Sequence, residues 1–217
     1  MVEAFMFLLC SVIGEIFGVC FRNDFDIFND VLRRYNGEEE NVRIPENVCC
    51  IEKAAFFRRS KLKSVIIPER VTYIGDNAFT DCQNLIKINI PENVREMGTD
   101  IFSNCESLTE LTTKYGSFPK ESYKILPDVF QLFSTNDEKW IAQNFSCIMK
   151  KLIKNSIQQT VEKILQSEKF ACCLEYELTD ELIRYAIENQ AYEIQLMLTD
   201  YKYQHFNFRN PAEYLKL

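Results

Sequence analysis

The chain holds one histidine, one tryptophan, six glycines and six prolines in 217 residues. Each scarcity excludes something. A single histidine, His205, rules out any paired-histidine metal motif and leaves one imidazole as a candidate base. It sits in the aromatic, polar stretch YKYQHFNF with no cysteine marked as its nucleophile, and reads as a surface or half-buried side chain. The few glycines form neither a dinucleotide fingerprint nor a Walker loop, and G-x-S-x-G and H-E-x-x-H are also absent. There is no basic excess. Net charge is −7, so the chain has little to offer a phosphate backbone and nucleic acid is not expected as a partner. The nine cysteines include no C-x-x-C pair and their number is odd, which speaks for reduced thiols rather than a secreted disulfide framework. Two pairs are adjacent, Cys49-Cys50 and Cys172-Cys173. Successive side chains on a strand point to opposite faces, so Cys49 and Cys50 are expected to be poorly placed to share an ion. No metal and no cofactor is expected.

Long apolar runs are lacking too. Ala4 to Gly14 reads AFMFLLCSVIG, but Glu15 cuts it short of a membrane span. Glu3 is the only charge before the run, where a signal peptide needs basic residues. Leu9 precedes Cys10 and Val19 precedes Cys20, neither the small residue of a lipoprotein site. Residues 1–20 are expected to be an apolar leader or a helix packed on the rest. The expected location is cytoplasmic, with the cell surface, reached through this segment, as the alternative. Composition is that of a globular chain, 47% hydrophobic and 26% charged.

What is present in quantity is a repeat. Ile44-Pro45, Ile67-Pro68 and Ile90-Pro91 recur with a period of about 23 residues. At the same spacing come Val48, Val71 and Val94; Ile51, Ile74 and Met97; Phe56, Phe79 and Phe102; and Leu62, Leu85 and Leu108. Upstream of each Ile-Pro sits Val42, Val65 or Ile88, and Leu111 continues that column. Val65 and Ile67 alternate as the inward residues of one short strand, and the proline ends it because it cannot donate to a ladder. Val71 and Ile74 feed a second inward row, Gly75 and Gly98 are assigned to the turn, and Ala78-Phe79 fills the interior. One such coil has no core of its own; stacked coils share one.

The stretch from Leu62 to Cys82, L-KSVIIPERVTYIGDNAFTDC, closely resembles the BspA-like leucine-rich repeat. The next copy carries Met97 and Ile101 where isoleucine and alanine are usual, and the first has Glu52 and Arg59 in place of glycine and cysteine. The resemblance covers about a third of the chain. It implies an α+β chain whose first part is a short right-handed solenoid with parallel strands. It also implies adhesion or protein recognition rather than catalysis, and buried thiols at Cys82 and Cys105.

Around residues 41–118, the repeats, two further parts are expected. Residues 21–40 read as a hairpin that caps the open end, with Tyr35-Asn36-Gly37 as its turn. Residues 119–217 read as helical, behind a linker marked by Pro119 and Pro127. Trp140, Ile141, Phe145, Ile148, Met149 and Leu152 form one stripe, and Ile157, Val161, Ile164 and Leu165 another. Thr179 is read as an N-cap, with Ile183, Ala186 and Ile187 facing inward, then Ile194, Met197 and Leu198 after a break near Asn189. Leu152 matches Leu182 at an offset of 30, and Val161 matches Ile194 at 33. ELIRYAIENQAYEIQLML is similar to the paired helices of ankyrin repeats, without their T-P-L-H turn. This half either binds or caps. The basic run Arg58, Arg59, Lys61 and Lys63, near Glu69, Asp76 and Asp81, reads as a solvated mixed-charge surface.

If Val65 and Ile67 point inward, Ser64 and Ile66 point out. The same register exposes Asn41 and Arg43, Lys87 and Asn89, and Glu110 and Thr112. Four parallel strands would make this face about 15–20 Å wide. The expected function is non-catalytic binding of a protein or peptide through Ser64, Ile66, Lys87, Asn89, Glu110 and Thr112. An adhesin anchored by its first residues is the alternative, and an unknown thiol or hydrolytic enzyme the remote one.

Overall fold

A computed structural model describes residues 24–206; the expectations for residues 1–20 and for the tail after Phe206 lie outside the described residues. The described chain opens with β1 (Phe25–Phe28) and β2 (Val31–Tyr35), an antiparallel hairpin. Its turn is Asn29-Asp30, with φ of 50° and 62°. Two consecutive positive φ values are what a tight hairpin turn requires, and both residue types tolerate them. The turn is therefore not at Tyr35-Asn36-Gly37. Tyr35 ends β2 fully buried, and Gly37 lies against its ring, where a Cβ would meet the phenol oxygen at 2.3 Å.

Two parallel ladders come next, each pairing residues one repeat apart. The first is β3 (Asn41–Arg43), β5 (Ser64–Ile66) and β7 (Lys87–Ile88), pairing Val42 with Val65 and Val65 with Ile88. The second is β4 (Cys50–Ile51), β6 (Tyr73–Ile74) and β8 (Glu96–Met97). The hairpin joins this second sheet in the order β1-β2-β4-β6-β8. The inward row at Ile51, Ile74 and Met97 is thus a sheet in its own right. Between ladders the chain bends through two left-handed columns, Ala54, Asn77 and Asp100, then Arg58, Asp81 and Asn104. Gly75 and Gly98 do not supply these bends, since Gly116 alone among the described glycines has a positive φ. They let adjacent coils approach: a Cβ on Gly75 would lie 2.6 Å from the Lys53 nitrogen.

The interior is held by a file of aromatic rings. Phe25, Tyr35, Phe56, Phe79, Phe102 and Tyr123 succeed one another at centroid distances of 5.1, 5.1, 4.8, 5.8 and 5.7 Å. The file ties the capping hairpin to the coils and the coils to the helical half. Beside it the Cys82 and Cys105 thiols donate to the Phe56 and Phe79 carbonyls, each at 3.1 Å. Burial pushes their pKa values up to about 11 and about 12. These thiols should resist an aqueous disulfide reagent at pH 8, because the nucleophile is the thiolate and raising the pKa empties that form. Reactivity should emerge only as pH climbs through 11, or on denaturation. Prompt labelling of either residue in the folded protein, read by mass spectrometry, would contradict this placement.

The fourth coil does not complete. Leu111 is buried in its column, but β9 (Glu110–Thr113) pairs antiparallel with β10 (Gly116–Pro119) instead of with β7. Lys114 and Tyr115 make that turn, and Gly116, at φ 140°, opens β10 where an added Cβ would meet the Gln159 side chain at 3.0 Å. The stretch expected as a linker is ordered. A 3-10 turn over Lys120–Ile125 leads to α1 (Leu126–Ser134), where Pro127 sits in the first turn and forfeits no hydrogen bond. Then come α2 (Glu138–Lys154), α3 (Gln158–Leu165), a 3-10 turn (Glu168–Cys173), α4 (Tyr176–Glu188) and α5 (Tyr192–His205).

The junction is a buried one. Tyr115 stacks on Phe133 at 4.3 Å and meets Phe130 edge-on at 4.9 Å, and Thr160 donates to the Tyr115 carbonyl at 2.8 Å. One apolar cluster runs from Leu32 to Tyr201. The Lys169 ammonium caps α1 by donating to the carbonyls of Leu132, Phe133 and Thr135 at 3.0, 3.0 and 2.6 Å. Two details of the helices differ from expectation. Thr179 lies inside α4, buried, with its hydroxyl donating back to the Glu175 carbonyl at 2.8 Å, so it is not the N-cap. Leu182 rather than Ile187 is the inward residue, Ile187 being 48% exposed. Among the described residues no helix is long and apolar enough to cross a membrane.

Candidate functional site

The outward rows of β3, β5 and β7 form the candidate face. Asn41, Ser64 and Lys87 stand in one row across the three strands, and Arg43 pairs with Ile66 in the next. Val42, Val65 and Ile88, between them, are buried. Three strands at about 4.8 Å spacing make a face about 10 Å across, narrower than four would give. The loss of the fourth strand results from β9 turning back on β10. Thr112 is exposed there, its hydroxyl 3.2 Å from that of Ser117, and Glu110 shares that strand, its side chain outside the described set. The structure therefore brings Ser64, Ile66, Lys87 and Asn89 together and sets Glu110 and Thr112 in a different sheet.

Within the face the residues are unequal. Ser64 donates to the Asn41 side chain at 2.7 Å, one coil away. Asn89 is engaged from both ends of its amide: Oδ1 accepts from the Ile67 nitrogen at 2.7 Å and Nδ2 donates to the Ile67 carbonyl at 2.9 Å. It replaces a rung of the ladder with its side chain, which is why β7 ends at Ile88. Ile66 is 44% exposed, and Ile86, which lies just before β7 and belongs to no repeat column, is 59% exposed. Ile86 takes the register of Lys63, and the charged residue at that register is the signal that marks it as outward. The rim is closed by surface ion pairs, Lys61 with Glu38 at 2.7 Å, Lys63 with Glu40 at 2.8 Å and Arg43 with Glu46 at 3.4 Å. Such pairs are worth about 1 kcal/mol or less each and leave the rim close to neutral. Arg58 meets Asp81 at 3.4 Å, in keeping with a mixed-charge surface.

The chemistry-bearing residues lie elsewhere. His205 is exposed, stacked on Tyr201 at 4.0 Å, with Nδ1 3.0 Å from the Tyr201 carbonyl of its own helix. At Cys49-Cys50 the strand alternation expected to separate the side chains does not apply. Cys49 precedes β4, so strand alternation does not separate it from Cys50, and their sulfurs are 3.7 Å apart. The sulfurs of Cys172 and Cys173, in a 3-10 turn, are 3.9 Å apart. That second pair lies at a groove of about 670 Å³ whose lining includes the apolar Ile141, Ala142, Phe145 and Leu178 and the charged Glu138, Lys169 and Glu175. Among the described residues no group of three or more His, Cys, Asp or Glu side chains could hold a metal ion.

Compared with known proteins, residues 34–156 match the family model described as the BspA type leucine rich repeat region (6 copies). Among solved structures, the T. pallidum leucine rich repeat protein is 27% identical over 42% of this chain, with a TM-score of 0.40. A leucine rich cell surface protein from Faecalibacterium prausnitzii is 32% identical over 39%, at 0.34, and a leucine-rich repeat protein from Bacteroides ovatus is 28% identical over 42%, at 0.36. This chain spans 48%, 27% and 28% of the lengths of those three chains. No curated protein gives a significant match.

Proposed function

The chain belongs to the BspA-type leucine-rich repeat family, and on that premise we propose that it is a non-catalytic module that binds a protein or peptide through the face of β3, β5 and β7. The observation that carries the reading is Ile66, an exposed isoleucine in an otherwise polar outward row, with a second exposed isoleucine, Ile86, just before β7. Side chains of that kind gain free energy when a partner removes them from water, while the rim charges set register. Ser64 and Lys87 are the polar contacts of the same patch. Asn89 would contribute at its edge, and Glu110 and Thr112 only to a partner long enough to reach the next sheet.

The area is small for a stable interface by itself, so the helical half is proposed as a second contact region. We read it as ankyrin-like. Its two helix–turn–helix units share one turn: Asn155 and Asn189 each donate to the carbonyl four residues back at 2.8 Å, and Ser156 and Gln190 follow with φ of 54° and 58°. These turns recur at about 34 residues, close to an ankyrin period, and replace the offsets of 30 and 33 suggested by the apolar residues alone. A right-handed solenoid, a cap over residues 21–40, repeats over 41–118 and a helical part over 119–217 complete the proposal. A reducing, cytoplasmic location is proposed on the thiols, and anchoring at the cell surface through residues 1–20 is the alternative that fractionation decides.

The test uses Ile66→Ser with Lys87→Glu, leaving Asn89 intact because its amide holds the coil together. A partner recovered by pull-down should bind the double variant at least tenfold more weakly, the loss expected for one buried apolar anchor and a reversed charge. Circular dichroism should be unchanged. Equal affinity would remove this face and leave the helical half as the better candidate.

A further inference from the structure

Adjacent cysteines face a geometric restriction. A trans peptide holds neighbouring Cα atoms about 3.8 Å apart, below the roughly 4.4–6.8 Å that a disulfide ordinarily spans. Oxidation of Cys172 with Cys173 would therefore strain the backbone, and the pair is kept as two thiols. Their sulfurs stand 3.9 Å apart, nearly twice the ~2.05 Å of an S–S bond. That gap suits a soft atom placed between them; two thiolates on a tetrahedral centre at about 2.3 Å lie about 3.8 Å apart. A four-coordinate cation would find only half its ligands, because among the described residues no third His, Cys, Asp or Glu completes a set. A pyramidal centre that already carries one organic substituent needs two sulfurs and no more.

The surroundings supply the rest. Cys172 is exposed and Cys173 half-buried, and burial with the neighbouring Cys172 pushes the Cys173 thiol up to about 11, so Cys172 attacks first and Cys173 closes the second bond once the arsenic is held beside it. Both line the groove whose apolar lining is Ile141, Ala142, Phe145 and Leu178, where an apolar substituent would lie. Lys169, at the same rim, is committed to the carbonyls that end α1 and does not fill the space. The Cys49–Cys50 pair has a similar sulfur spacing, 3.7 Å, but lines none of the described grooves.

We propose that Cys172 and Cys173 form a vicinal-dithiol site for monosubstituted trivalent arsenicals, with the arsenic bridging the two sulfurs and its substituent seated in the groove. The reaction balances without an oxidant. Two arsenic–sulfur bonds form, the arsenic–oxygen double bond of R–As=O breaks, and the two thiol protons leave with that oxygen as water. Arsenic stays trivalent and the sulfurs stay at the thiol oxidation level.

Phenylarsine oxide is the probe, bound to the full chain and then challenged with excess monothiol, which strips arsenic from single cysteines. The wild type should retain one equivalent, Cys49→Ser should retain it too, and Cys172→Ser should lose it. A small dithiol should release it from the wild type. The phenyl compound should be retained about tenfold better than its methyl counterpart, from the extra apolar surface buried. Ala142→Arg, an exposed change in the groove, should bring the two to parity while leaving both thiols in place. Retention in Cys172→Ser equal to wild type would overturn the site. No difference between phenyl and methyl in the wild type would overturn the role of the groove.

Discussion

Phe79→Ala should cost about 3–5 kcal/mol, the range for emptying a large aromatic site in a packed core. Phe79 is fully buried and stacks on Phe56 at 4.8 Å and Phe102 at 5.8 Å, both at 16°. Removing it deletes two ring contacts as well as the buried area, and the coils above and below are too firmly laddered to close the gap. Against a typical net stability of about 5–15 kcal/mol the loss is a large fraction. Urea denaturation reads it as a lower midpoint. The shape of the transition is informative as well. In a stacked array each coil contacts only its neighbours, so a break at the middle coil should broaden the transition as the two ends unfold separately. A sharp transition displaced to lower urea would mean that the helical half and the hairpin hold the stack as one unit. A midpoint unchanged from wild type would show that the ring file does not form the interior.

The columns that stand out in the sequence are those with similar neighbours above and below. Val65, Ile67, Val71, Phe79 and Leu85 all fall in the buried set because each meets its own kind one coil away, and recurrence from coil to coil advertises that contact. What stays hidden depends on partners far apart or on single events. The second ladder is legible as an inward row, Ile51, Ile74 and Met97, but not as a sheet, because its outward partners Cys50, Tyr73 and Glu96 share no residue type although their backbones pair. The departure of β9 from the stack is concealed by Leu111, whose burial satisfies the column whichever strand it pairs with. At the hairpin, Gly37 attracts the turn assignment by residue type, while Asn29-Asp30 adopts the turn conformation. The candidate face is legible in direction, since alternation fixes in and out, but not in width. The convergence of Cys172 and Cys173 beside Phe145 is not legible at all, because a 3-10 turn and a helix distant in sequence have to meet to make it.

The glycines give the sharpest case, because two effects of opposite sign compete there. Replacing glycine by alanine ordinarily stabilises by about 0.4–1 kcal/mol where the backbone permits it, since the unfolded chain has less freedom to lose. The backbone does permit it at Gly75 and Gly98, neither of which has a positive φ. Space does not. A Cβ on Gly98 would stand 2.3 Å from the Asp76 nitrogen and 2.7 Å from its Cα, and one on Gly75 would stand 2.6 Å from the Lys53 nitrogen. These are backbone atoms of the preceding coil, fixed by the ladder at about 4.8 Å, so no side chain can swing away to relieve the contact. Overpacking costs about 1–3 kcal/mol, and the upper end applies where the obstacle is fixed backbone, so the clash outweighs the entropic gain. Gly98→Ala should therefore destabilise by about 2 kcal/mol or more, and Gly75→Ala in the same sense. The first coil offers the control. Glu52 occupies the equivalent position, is exposed, and faces the hairpin instead of a coil, which explains why a glycine is not needed there. Glu52→Ala should shift stability by no more than the ~0.5 kcal/mol of an ordinary surface change, read from the urea midpoint. Stabilisation by Gly98→Ala would show that the coils stand further apart than the ladder places them.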